Sequence, residues 1–169
     1  NLIPVFNDYP LSRIIVHPRT GTQMYGGEAD LETFFEALPQ FTCPVVYNGD
    51  IRKKKSFRIL SERFDSIDEW MIGRGAISDP FLPGDIKDSA PKADRIRIVQ
   101  DFHEYLFDSY REVLFGPKHI LDKMKEIWSF LCISFSNGNA AYATILRSRS
   151  IVDYLHAVRS VFSNEEWIA

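Results

Sequence analysis

Three short apolar runs set the frame of this chain: Arg13-Ile14-Ile15-Val16-His17, Cys43-Pro44-Val45-Val46-Tyr47 and Trp70-Met71-Ile72. Each is too short for a helix, is rich in β-branched or aromatic residues, and gives way to a loop carrying Pro or Gly. That is the pattern of a buried strand. Helical spacing fills the gaps between them. Leu31, Phe34, Phe35 and Leu38 share one face of a helix expected over residues 30–38, with Asp30 placed to cap it and Pro39 to end it. Phe57, Leu60 and Phe64 do the same for a helix over residues 56–64. Strand, loop and helix in alternation is the rhythm of a parallel sheet, because parallel neighbours must be joined by a crossover.

Pro80, Pro83, Gly84 and Pro91 mark a connector, and beyond it the period is helical to the end. Ile96, Val99, Phe102, Leu106, Tyr110 and Val113 line one expected helix. Ile120, Met124, Ile127 and Leu131 line the next, with Gly116-Pro117 between them and Pro117 suited to a first turn. Asn137-Gly138-Asn139 reads as a helix stop, and Ala140 to Leu146 as a short helix. Ser150 and Asp153 are spaced like the capping box of the last helix. The expected organisation is α/β plus all-α: residues 1–84 with about three βα units, then residues 85–169 as a small helical bundle.

Composition narrows the function classes. At 169 residues, 45% hydrophobic, the chain can bury a substantial core. Lys and Arg number 20 against 23 Asp and Glu, a net of −3, which excludes a uniformly basic nucleic-acid coat but not a local basic patch. Cys43 and Cys132 cannot staple a disulfide-dense scaffold, and His103, His119 and His156 show no ligand spacing, so no metal site is expected. No run of 18 apolar residues is present, so no membrane partner is expected. The opening Asn1-Leu2-Ile3-Pro4 lacks a signal-peptide pattern and reads as the middle of something longer, in a cytoplasmic setting.

The chemistry gathers at the strand ends, where ligands bind in parallel α/β folds. The first run ends in His17-Pro18-Arg19-Thr20, the second in Asn48-Gly49-Asp50, the third in Gly73-Arg74-Gly75. Glycine just past a strand lets backbone N–H groups approach an anion, and an arginine between two glycines adds a bidentate phosphate grip. Each motif alone has a plainer reading, a turn or a structural histidine. The joint placement at three successive strand ends favours function over those readings, and the two glycine-bearing ends match the phosphate site of a (βα)8 barrel, built after strands seven and eight.

These segments also resemble one family. His17-Pro18-Arg19-Thr20-Gly21-Thr22-Gln23-Met24-Tyr25-Gly26-Gly27-Glu28-Ala29-Asp30 is similar to the tRNA-dihydrouridine synthase pattern H-x-R-T-x-x-Q-x-Y-x-G-x-A-D. Asn48-Gly49-Asp50-Ile51 resembles its N-G-D-I strand end, and Met71-Ile72-Gly73-Arg74-Gly75-Ala76 its M-I-G-R-G-A segment. The resemblance implies the C-terminal portion of an FMN-binding (βα)8 TIM barrel followed by a helical tRNA-binding domain. It implies reduction of the C5–C6 bond of a tRNA uridine by FMN, with NADPH as reductant and tRNA as partner. By motif match, His17 would contact the flavin or its phosphate, Asn48, Gly49 and Asp50 would line the phosphate loop, and Gly73 and Arg74 would complete it. Arg19 and Tyr25 are candidates for substrate or tRNA contact. Arg147 and Arg149, with Lys92, Arg95 and Arg97, are candidates for a basic edge. Gly21 departs from the basic residue that many relatives carry there.

The family's catalytic cysteine and its flavin-binding lysine belong to the other half of the barrel, so no catalytic residue is expected here and the chain is expected to be inactive alone. Asn1 to Leu11 reads as the end of the barrel's fifth helix. A full barrel needs about 250 residues and eight strands, so two sheet edges would stand open. The missing half, or another copy, is expected to cover them. Without that cover, Gly49, Gly73 and Arg74 would take phosphate or sulfate but no tight flavin. Two alternatives stay open: another FMN-dependent barrel oxidoreductase acting on a small molecule, and a non-catalytic helical RNA-binding module. Residues 85–169 carry 11 Lys and Arg against 12 Asp and Glu, so charge does not single them out as an RNA surface. Arg52-Lys53-Lys54-Lys55 is a sharper cluster, readable either as a functional patch or as a solvated helix start.

Overall fold

The fold is seen in a computed structural model that describes residues 2–24 and 26–169. The chain packs as two compact units, Asn1–Gly75 and Ala76–Ala169. The first contains α1 (Ile3–Asn7), β1 (Ile14–Val16), α2 (Leu31–Ala37), β2 (Val45–Tyr47), α3 (Lys54–Arg63) and β3 (Glu69–Trp70). The strands form one parallel sheet in the order β1-β2-β3, with Ile15 opposite Val46 and Tyr47 opposite Trp70. The third strand starts one residue before the expected run. Met71 extends the pairing by donating its amide to the Tyr47 carbonyl at 2.8 Å, and Ile72 lies beyond it.

Local chemistry sets the helix starts and the sheet's covered face. The Asp30 carboxylate caps α2 by accepting from the Thr33 amide at 3.0 Å. Tyr47 is completely buried at the centre of an aromatic cluster. Its ring stands edge-on to Phe34 of α2 (5.1 Å, 76°) and stacks on Phe64 at the end of α3 (6.0 Å). Both crossover helices therefore cover the face that carries Tyr47. Ile15 points to the opposite face and is 53% exposed. Among the described residues, β1 and β3 pair on one side only.

The second unit is helical: α5 (Leu82–Ile86), α6 (Arg95–Val113), α7 (Pro117–Leu131), α8 (Gly138–Arg147) and α9 (Ile151–Asn164), reached through α4 (Arg74–Ser78). Residues 76–84, grouped with the βα half in the sequence reading, pack with the helices. Phe81 belongs to the helical core, edge-on to Trp167 at 5.8 Å. Gly116 at φ +88° makes the turn between α6 and α7 that an L side chain resists, and Pro117 opens α7. Asn137–Asn139 is not a stop. The 3-10 turn Cys132–Ser134 follows α7 directly, and Gly138 begins α8. The capping box of α9 forms, with Ser150 Oγ accepting from the Asp153 amide at 3.1 Å and the Ser150 amide donating back at 3.2 Å.

The buried face of α6 is rotated from its expected position. Val99, His103 and Phe107 are buried, whereas Phe102 and Val113 are 46% and 75% exposed. The reason is polar. His103 Nε2 and Tyr154 Oη lie 2.6 Å apart, and Trp128 Nε1 donates to the same hydroxyl at 3.0 Å. A buried histidine is tolerable when it has such a partner, and the i, i+4 stripe around it becomes the core face. Burial lowers the His103 pKa to about 4, so the ring is neutral.

Because the unfolded chain binds a proton at His103 more readily than the folded one, stability should fall as pH drops from about 6.5 toward 4. The steepest loss from this group is about 1.4 kcal/mol per pH unit. Urea titrations at stepped pH would measure it, and His103→Gln should flatten the dependence. Tyr154→Phe, which strands the Trp128 N–H, should cost about 1–3 kcal/mol at pH 7 in the same assay.

Candidate functional site

The loops that follow the three strands enclose a cavity of about 170 Å³ in the first unit, walled by His17, Asn48, Gly49, Asp50, Gly73 and Arg74, with Arg52 at one side. All six residues expected to hold a cofactor therefore converge. They do so because parallel strands in register place their carboxyl ends at one edge. The ladder runs out here: the Asn48 amide still donates to the Val16 carbonyl at 2.9 Å. The amides of Gly49 and Gly73 donate to no acceptor among the described residues. A Cβ on Gly49 would lie 2.8 Å from Tyr47 Oη and 3.3 Å from Ala29 Cβ, so no larger residue fits without displacing a buried ring. At Gly73 a Cβ would meet open space.

Asp50 organises the charges. It sits at φ +43°, a left-handed conformation that aspartate tolerates better than most residues. Its carboxylate accepts from the Ala29 amide at 2.9 Å and is ion-paired with Arg19. Arg74 Nη2 lies 3.6 Å from it and Arg52 Nη2 3.9 Å. Partial burial would raise the Asp50 pKa, but the Ala29 amide and the Arg19 guanidinium outweigh it and hold the carboxyl below the usual aspartate range. Burial, with the Asp50 charge second, pushes the Tyr47 hydroxyl up to about 12, so it stays neutral.

Arg19 corrects one expectation. It is not presented to a substrate: its side chain is 4% exposed. Besides Asp50, it donates to the carbonyls of Gly26 at 2.7 Å and Gly27 at 2.9 Å. It braces the long loop after β1 against the loop after β2. With Arg19 committed to Asp50, the guanidiniums of Arg52 and Arg74 leave the cavity with positive charge in excess. That donor set, together with the two glycine amides, suits a phosphate monoester.

Other candidates fall elsewhere. Tyr25 lies outside the described residues. Arg147 and Arg149 are both exposed in the helical unit. Arg95 is no part of a free basic edge, since it is ion-paired with Asp85 and lies over the Phe81 ring at 4.8 Å. Cys132 is buried, and burial raises its thiol. Cys43 is half-buried before β2, at the amino end of the sheet and away from the cavity. Among the described residues no three His, Cys, Asp or Glu side chains converge as a metal site, and no helix is long and apolar enough to cross a membrane. The anchoring role of Ala29 was not legible in advance, because a backbone donor leaves no side-chain signal.

Asp50→Ala should leave a buried guanidinium without its counter-charge and cost up to about 3–5 kcal/mol, read as a fall in thermal midpoint. Gly49→Ala should cost about 1–3 kcal/mol through crowding of Tyr47, read in the same scan.

A family model described as dihydrouridine synthase matches residues 7–131. Among curated proteins, the chain is 26% identical over 128 residues to tRNA-dihydrouridine synthase B of Shewanella oneidensis, a match covering 69% of this chain and 39% of that protein. It is 33% identical over 119 residues to a probable tRNA-dihydrouridine synthase of Rickettsia conorii, covering 63% and 36%. It is 27% identical over 132 residues to tRNA-dihydrouridine synthase B of Pseudomonas putida, covering 71% and 39%. The chain thus spans well under half the length of these relatives. Its three strand-end motifs lie within the matched residues, and the match runs over most of the chain: this protein belongs to the dihydrouridine synthase family.

Proposed function

We propose that this chain carries the flavin-phosphate site of a tRNA-dihydrouridine synthase, the C-terminal portion of its (βα)8 barrel, and the helical domain that follows. The observation that carries the reading is the convergence of His17, Asn48-Gly49-Asp50 and Gly73-Arg74 on one cavity with guanidinium charge in excess. Membership of the family supports the rest. An FMN held there would supply the two-electron reduction of the uracil C5–C6 bond, with NADPH as the source of electrons.

The chain's own residues bind and orient. Arg74 and Arg52 neutralise the phosphate, and the Gly49 and Gly73 amides donate to its oxygens. Asp50 holds both guanidiniums toward the cavity, and Arg19 locks Asp50 in its left-handed turn. His17, exposed at the end of β1, lines the same cavity and would contact the cofactor's polar tail. The proton for the uracil ring comes from a cysteine outside these residues, since neither Cys43 nor Cys132 faces the cavity. The remaining strands of the barrel, or a second copy, cover β1 and β3, and the chain alone is inactive. The substrate tRNA is met in part through Arg147 and Arg149, and the setting is cytoplasmic.

Disrupting the gene should remove dihydrouridine from at least one position of cellular tRNA, measured by nucleoside mass spectrometry. Unchanged content at every position would overturn the reading. In the protein carrying its complete barrel, Arg74→Gln should weaken FMN binding by about 10- to 100-fold, the loss of one charge-assisted pair, in a fluorescence-quenching titration.

A further inference from the structure

The start of α3 is built against the usual electrostatic preference. Helix N-termini favour acidic residues and a side-chain acceptor at the cap. Helix α2 follows that rule with Asp30 and Glu32, and α9 with Ser150 and Asp153. Helix α3 begins instead at Lys53, which supplies no capping bond, and its first turn holds no acidic residue. Arg52, Lys53, Lys54 and Lys55 stand there in sequence, all exposed. Lys53 and Lys55 have no ion-pair partner among the described residues. Arg52 reaches only Asp50, at 3.9 Å, a carboxylate already held by Arg19.

A second observation lies beside this helix start. A cavity of about 620 Å³, adjoining the phosphate cavity and sharing Asp50 and Arg52 with it, is walled by Tyr47, Ser56, Ile59 and Leu31, with Glu28 also on its lining. The Tyr47 side chain is wholly buried, its hydroxyl has no hydrogen-bond partner, and it faces the Gly49–Asp50 loop at this cavity. A buried hydroxyl left unpaired is costly and calls for a partner. Glu28, which lines this cavity and not the phosphate cavity, adds a second carboxylate to Asp50 and disfavours an anion inside it. The cavity itself suits a neutral, hydrogen-bonding ring.

We propose that the start of α3 and this neighbouring cavity form a docking site for one nucleotide of an RNA strand. Its phosphate lies on Lys53, Lys55 and the uncapped first-turn amides, while Arg52 stays with the flavin phosphate. Its base enters the cavity between Ile59 and Leu31, with the hydroxyls of Ser56 and Tyr47 as polar ends. The choice of RNA rests on the proposed function. The site deepens that function by adding a contact on the βα unit to the arginines of the helical unit.

The test uses the 169-residue chain, an unmodified tRNA transcript and a 12-nucleotide single-stranded RNA, with binding followed across a salt series. Lys53→Gln/Lys55→Gln should weaken tRNA binding at least tenfold and lower the slope of log K against log salt by about 0.7–0.9, the loss of one phosphate contact. Lys53→Arg/Lys55→Arg should restore both. The glutamine variant should melt at the same temperature or higher, since the cations oppose the helix dipole. A clear fall in melting temperature would mean that they serve the fold, and would overturn the site. Unchanged slope and affinity in the glutamine variant would overturn the docking site and leave the tRNA reading standing. Lysine-dependent binding of the short RNA with no preference for tRNA would keep the site and count against the tRNA reading. No binding of either RNA by the unaltered chain would overturn both.

Discussion

The Asp50 carboxylate is the point on which the functional end of the sheet depends. It reaches the loop after β1 through the Ala29 amide and through Arg19, and it draws the guanidiniums of Arg52 and Arg74 toward the same space. Two loops that share no strand pairing are thereby held in one arrangement. The arrangement needs a left-handed residue at position 50 and a glycine at position 49. The first lets the carboxylate turn back on the loops, and the second lets the backbone pass the buried Tyr47 hydroxyl. Among the described residues on the cavity lining, Asp50 is the one carboxylate beside the guanidiniums of Arg52 and Arg74, a balance suited to holding a phosphate.

The helical unit solves the opposite problem. At the centre of its core lies a polar cluster without charge. His103 Nε2 and Trp128 Nε1 meet at the single hydroxyl of Tyr154, and burial keeps the imidazole neutral at physiological pH. The aromatic cluster continues through Phe135 to Trp167, and the chain's last residues are pinned by the Ser136 amide on the Glu166 carbonyl at 2.9 Å and the Ile168 amide on the Ser134 carbonyl at 2.9 Å. Electrostatics govern the loops of the first unit, and desolvation governs the interior of the second. Perturbation by pH should accordingly act on the two at different values: through carboxylates at the strand ends, and through His103 in the bundle.

Much of this was legible in the amino-acid order. The three strands, the Asp30 cap, the Ser150–Asp153 box and the six cavity residues follow from short-range rules about spacing, capping and strand ends. The errors share a cause. An arginine in a strand-end motif is chemically suited to a ligand contact, but which anion Arg19 meets depends on a carboxylate 31 residues away. An apolar count along α6 puts Phe102 inside and His103 outside. The bond from Tyr154, 51 residues on, reverses that order. The prolines around Phe81 mark a connector without saying which core its aromatic enters, and it enters the helical one.

The sequence by itself determined the element types, the parallel character of the sheet and the residues gathered at its carboxyl edge. Those properties rest on periodicity, backbone preference and the geometry of crossovers, all of which act over a few residues. Only the tertiary structure decided which guanidinium is structural and which faces the cavity, which side of α6 is buried, and why position 49 must be glycine. Each of those depends on a partner brought close by folding, and the energy of an ion pair or a buried hydroxyl depends on what surrounds it in space.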